Sequence, residues 1–314
     1  MLLACLFFFC GVALVVRGGD YFVDAAARIA RALRIPTFVI GATVVSLATT
    51  MPETIVSAMA AAEGKTEMAI GNAVGSVTAN TALILAAAMV AIPILCDRRR
   101  FLRPILLLIA ACLTLLLSSL GGELSLPGSL ILCAIFLLFM LGNLLDAKKE
   151  ANRQTGEPGE KLSPKTWAQN VLLFLLGAAG IVFGSRLMVE YGGEIAVRLG
   201  VPERTVALTL VAVGTSLPEL VTTVTAIVKK EAGLSVGNII GANVIDLSLI
   251  LPLCSLVSKK PLPVSPAGAV TLDLPVCLGA TLLAFLPLLL LRRSSRLQGF
   301  LLLALYGVYL FLVL

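Results

Sequence analysis

The sequence predicts an all-α membrane protein: ten transmembrane helices arranged as two inverted-topology five-helix repeats. Composition is the first reason, since 59% of the 314 residues are hydrophobic, 13% are charged and the mean hydropathy is +1.02. Soluble domains carry about a quarter charged residues. The second is run length, because apolar stretches of about 20 residues, enough to cross a hydrocarbon core about 30 Å thick, recur along the chain. The third is an internal duplication. Pro36 and Pro202, Pro52 and Pro218, Glu53 and Glu219, Asn72 and Asn238, Gly75 and Gly241, and Asn80 and Asp246 are each 166 residues apart. Gly11 with Gly177 and Gly18 with Gly184 keep the same offset.

Taken in order, the first apolar run starts at Leu2 without the basic residues that open a signal peptide, so it reads as a long first span ending near residue 30. Ile35-Pro36 marks its boundary, because the residue before a proline is pushed out of helix geometry. The second span covers 37–62 and contains VSLATTMPET; the third covers 68–95 and opens on IGNAVGSVTAN. Plainer spans follow at 105–120 and 126–145, after the basic turn Arg98, Arg99, Arg100 and Arg103. Residues 146–166, rich in charge and turn formers, separate a first repeat, 1–145, from a second, 167–314. The second repeat holds spans at 167–196, 203–228, 234–257, 272–291 and 297–314. An odd number of spans per repeat makes the second copy enter from the opposite side, giving a pseudo-two-fold axis in the membrane plane.

The net charge of +6 lies in short clusters between apolar runs, which is how orientation is written into membrane proteins rather than how nucleic acid is bound. Seventeen Lys and Arg fall on one set of loops, against five on the other: Lys65, Arg198, Arg204, Lys259 and Lys260. This places the 146–166 linker in the cytoplasm and both termini outside, in the inner (plasma) membrane of a bacterium or archaeon. Lys259-Lys260 is the one contrary pair. The chain has no histidine, which excludes histidine catalysis and ligation. Its seven cysteines form no CxxC and read as small apolar residues. Membrane lipid is the expected surrounding; no cofactor and no obligatory protein partner is implied.

The chemistry concentrates where carboxylates fall inside apolar segments. Glu53, Glu219 and Asp246 have no basic partner in their own segments, and a carboxylate at that depth costs at least about 2.5 kcal/mol unless it faces a cavity or an ion. Proline inside a helix leaves the carbonyl four residues back without a donor, so Pro52 should free Ala48, and Pro218 should free Gly214. Thr49 shares a face with Glu53, as Thr215 does with Glu219, and Ser76 with Asn80. Ala212 is a further backbone candidate. Such all-oxygen sets suit hard cations such as Na⁺ and Ca²⁺.

These residues carry a resemblance. ATTMPET with GNAVGSVTAN, and VGTSLPEL with GNIIGANVID, resemble the two alpha repeats of the sodium/calcium exchanger family, within the cation/Ca²⁺ antiporter superfamily. The resemblance covers the whole ten-span plan. It implies Na⁺-driven exchange against Ca²⁺ by alternating access, with the first and sixth spans sliding across a fixed core. It implies Glu53 and Glu219 as central carboxylates and Thr49 and Thr215 as hydroxyl and carbonyl ligands. Asn80 and Asp246 become the polar pair, with Thr50, Ser216 and Ser76 as supporting oxygens. The chain departs from the family's Gly-Ser-Asn pattern at Gly75-Ser76-Val77 and Gly241-Ala242-Asn243, and Ala242 removes a hydroxyl near an outer Na⁺ position. Ca²⁺/H⁺ or another cation/proton exchange is therefore the alternative. From other classes, a membrane-embedded carboxylate hydrolase would need two nearly touching acids, and a passive cation channel would show no counter-flow.

Overall fold

The computed structural model describes residues 1–153, 163–200 and 214–313. Their helices are α1 (Leu2–Leu33), α2 (Thr37–Thr49), α3 (Met51–Ala62), α4 (Thr66–Ala91), α5 (Arg98–Ser118), α6 (Leu126–Arg153), α7 (Pro164–Arg198), α8 (Leu217–Val228), α9 (Ala232–Ser258), α10 (Gly268–Leu291) and α11 (Arg296–Val313). Two strands of two residues, β1 (Glu123–Leu124) and β2 (Leu262–Pro263), pair antiparallel. Among the described residues eight helices are long and apolar enough to cross a membrane, or nine if the bent pair α2 and α3 is one span. The protein is an all-α membrane protein.

Boundaries differ from the sequence reading where charged residues are good helix formers. α5 starts at Arg98, seven residues before the expected 105, because Asp97 caps it by accepting a hydrogen bond from Arg99 N (3.1 Å). The expected linker is helical at both ends, with α6 running on to Arg153 and α7 opening at Pro164 behind the cap Ser163. The first part of the seventh span, including Pro202 and Ala212, lies outside the described residues. The cysteines are free, with Cys96, Cys112, Cys254 and Cys277 buried but Cys10 exposed. Among the described residues four π-helical turns were not foreseen: Gly41–Val45 in α2, Asn80–Leu85 in α4, Asp246–Ile250 in α9, and Pro266–Asp273 leading into α10.

The chain divides into two compact units, each drawing on both halves of the sequence. The first comprises Met1–Thr49 with Asp146–Asn238. Its centre is the long crossing of α1 and α7, where Phe22 stacks on Phe174 (centroids 4.5 Å apart). Glycine permits the approach: a Cβ on Gly11 would lie 2.8 Å from Gly184 O, and one on Gly18 2.8 Å from Gly177 O. At one end Lys229 bridges to Asp24 (2.8 Å) and Asp20 (3.2 Å) on α1. Burial pulls the Lys229 pKa down, but these two carboxylates outweigh it and hold the ammonium above the usual lysine value.

The second unit comprises Thr50–Leu145 with Ile239–Leu314. Within it α10 packs on α5 and α11 on α4. Pro287 inside α10 denies Leu283 O its helical donor, and Gln298 on α11 supplies one, donating from Nε2 to Leu283 O (2.9 Å) and Ala284 O (2.6 Å).

Candidate cation site

Two stretches 166 residues apart share one local build. α2 stops at Thr49, Thr50 turns at φ −84°, ψ 1°, and α3 starts at Met51 with Pro52 in its first turn. Ser216 turns at φ −86°, ψ 4°, and α8 starts at Leu217 with Pro218 in its first turn. The sequence suggested a proline kink inside a continuous helix; the chain instead breaks and restarts. Proline clashes with the turn before it, whereas in a first turn its missing N–H costs nothing. Glu53 and Glu219 consequently occupy the first turns of α3 and α8, where backbone N–H groups and the helix dipole favour an anion.

Both glutamates are 1% exposed and Asp246 is fully buried. Thr49, Thr50, Ser76, Asn80 and Ser216 are buried as well, while Ala48, Gly214 and Thr215 are half-buried. Asn80 and Asp246 each open a π-helical turn, a local widening that recurs at functional positions in helices.

In the first unit the turn Ser46–Thr49 packs against α8. Thr49 Oγ1 lies 3.2 Å from Asn238 Oδ1 and 3.3 Å from Ser46 O, so its one proton serves either acceptor. In the second unit α3, α4 and the Asp246–Ile250 turn pack on one another, which sets Glu53, Ser76, Asn80 and Asp246 on three mutually packed elements. Asn80 Oδ1 has no hydrogen-bond donor among the described residues.

Several buried or half-buried polar residues were not singled out as site candidates. Asn72 on α4 donates to Ser57 on α3 (2.9 Å), and Asn243 on α9 donates from Nδ2 to Thr81 Oγ1 on α4 (2.8 Å). Asn72 and Asn238 were visible as repeat markers, but no spacing rule pairs Thr81 with a residue so distant in sequence. Among the described residues no three His, Cys, Asp or Glu side chains are grouped to hold a metal. Hydroxyl, amide and backbone oxygens would have to complete any cation shell.

A profile of the sodium/calcium exchanger protein family matches residues 3–145 and 169–314, nearly the whole chain. The chain belongs to the sodium/calcium exchanger family. Among its relatives, the sodium/calcium exchanger MaX1 of Methanosarcina acetivorans is 30% identical over 286 residues, covering 78% of this chain and 81% of that protein. The inner membrane protein YrbG of Escherichia coli is 34% identical over 266 residues, covering 82% and 81%. A structure of the sodium-calcium exchanger NCX_Mj, soaked with 2.5 mM Na⁺ and 1 mM Sr²⁺, superimposes with a TM-score of 0.85 at 29% identity, covering 99% of this chain and 98% of that one. As a member of this exchanger family the protein is a multi-pass cation/Ca²⁺ antiporter, as the resemblance of the two motif pairs implied.

Proposed function

We propose that this exchanger moves Ca²⁺ against Na⁺ by alternating access, with Glu53 and Glu219 as the shared carboxylates of the ion site. The observation that carries this reading is the duplicated break: two buried glutamates, each in a first helical turn behind Pro, after a Thr or Ser with nearly the same backbone angles. Thr49, Thr50, Thr215 and Ser216 supply hydroxyls beside them, and Ala48, Gly214 and Ala212 supply carbonyls. Ser76, Asn80 and Asp246 complete the oxygen set from the partner helices. Na⁺ and Ca²⁺ are substrates here, and no catalytic residue is involved. Ionised carboxylates are costly to enclose in the membrane and a bound cation lowers that cost, so only the loaded carrier should change state.

Ten spans in two inverted repeats, 1–145 and 167–314 about a 146–166 linker, form part of the same proposal. The α1–α7 crossing supports it, because the 166-residue offset converts the pair Gly11 and Gly184 into Gly177 and Gly18, which is the other close pair. A two-fold relation exchanges contacts in just this way. The matched π-helical turns at Asn80 and Asp246 point the same way. Cation/proton exchange stays as the second reading because Ala242 is fully buried and brings no hydroxyl.

The test is uptake of radiolabelled Ca²⁺ into proteoliposomes driven by an outward Na⁺ gradient. Glu53→Gln and Glu219→Gln should each reduce it by about a hundredfold or more, since removing a carboxylate from a buried carboxylate–cation contact costs about 3 kcal/mol or more. Uptake that ignores Na⁺ and follows a pH gradient would move the assignment to proton exchange.

A further inference from the structure

A groove of about 660 Å³ runs between α6 and α9 in the second unit. Its walls are apolar, including Leu130, Leu253 and Leu256, and Leu130 and Leu256 are openly exposed. Its lining also includes Lys259 and Lys260, an adjacent basic pair on the set of loops that otherwise carries few Lys and Arg. Orientation does not explain these lysines, and among the described residues no carboxylate pairs with either.

The end of the groove where the lysines lie is built rather than loose. Lys259 ends α9 in the left-handed region (φ 55°), and Ser258 Oγ donates to Lys260 O (3.0 Å). The chain then pairs as β2 with β1, just before α6 begins, and Val264 N donates to Gly122 O (2.8 Å). On α6, Ser129 lines the groove; it is 5% exposed, and its Oγ has no hydrogen-bond partner among the described residues. Ser248 and Leu249, which also line the groove, belong to the π-helical turn that Asp246 opens.

We infer that this groove is a binding site for one anionic phospholipid, with its phosphate at Lys259 and Lys260, a glycerol-ester carbonyl on Ser129 Oγ and an acyl chain along the α6–α9 wall. Two fixed cations, then one buried hydroxyl, then an apolar trough match the order of chemistry in such a lipid. Basic pockets between membrane helices recognise anionic headgroups in this way. The occupant would touch the element that carries Asp246, although the inference does not depend on what that element transports.

Cys133 lines the groove and is half-buried, so its alkylation by a membrane-permeant maleimide, read by peptide mass mapping, reports occupancy without any transport assay. The protein is reconstituted in phosphatidylcholine vesicles containing increasing fractions of phosphatidylglycerol. Phosphatidylglycerol should protect Cys133, and Lys259→Asn with Lys260→Gln should raise the fraction needed by about tenfold or more. Lys259→Arg with Lys260→Arg should retain protection, and Ser129→Ala should weaken it in the wild-type charge background. Equal alkylation in both lipid compositions, protection that survives loss of the lysines, or protection by inorganic phosphate in pure phosphatidylcholine would each overturn the proposal.

Discussion

Asn243 and Thr81 show most sharply how the two halves of the exchanger have diverged at single residues. Their hydrogen bond joins α9 to α4 one residue beyond Asn80, and the positions 166 residues away are Val77 and Leu247, an apolar pair. Both partners are fully buried, so the bond is made without competition from water. Thr81→Val leaves the Asn243 amide without its acceptor and should lower stability by about 1–3 kcal/mol. Replacing both, Thr81→Leu with Asn243→Val, transplants the apolar pair of the other half and should cost less than the single change, because no polar group is then stranded. Denaturation midpoints in detergent for Thr81→Leu, Asn243→Val and the double form the required cycle, with Thr81→Val reporting loss of the acceptor alone. A double variant as unstable as the sum of the singles would mean that the bond is not what couples them. If Asn80 is a ligand, Thr81→Val should also weaken Ca²⁺ uptake, whereas a substitution on the lipid-facing side of α4 should not.

Among the elements, α10 and α11 depend on each other through Leu283 O, the carbonyl that Pro287 leaves without a helical donor. Gln298→Leu strands Leu283 O, which has no helical donor, and should lower the thermal midpoint, at a cost of about 1–3 kcal/mol. Adding Pro287→Ala restores the helical donor for Leu283 O and should recover part of the loss, which a purely volumetric effect of leucine would not allow. This pairing was not legible beforehand: the proline was visible, but its rescuer lies on another helix. The same limit governs the site. The spans could be read because hydropathy and length are local, and Glu53, Glu219, Asn80 and Asp246 stood out because duplication marks them. Whether Pro52 kinks a helix or starts a new one depends on the geometry of Thr50, which residue types alone do not specify. The π-helical turns have no sequence rule at all, and Asn238 could be seen as a repeat marker but not as the partner of Thr49.

At the scale of the whole molecule the span count decides the sidedness of the chain. The described helices give eight spans, or nine with α2 and α3 joined. α8 alone, at 12 residues, is about 18 Å long and cannot cross a core of about 30 Å. If residues 203–228 form one broken span, as 37–62 do in the first half, the total is ten and both termini share a side. If they do not, an odd count sends the termini to opposite sides. Loop charge favours the even count, since the arginines at 98–100 and 292–293 and the lysines at 148–149 then share the cytoplasmic face. The chain can be tagged in turn near residue 1, between 154 and 162, and after residue 314 with a reporter active only outside the cell and one fluorescent only inside. The expected pattern is outside activity at both ends and inside fluorescence in the linker. Opposite signals at the two ends would remove the second broken span, and with it the equivalence of Glu219 to Glu53 on which a two-fold ion site depends.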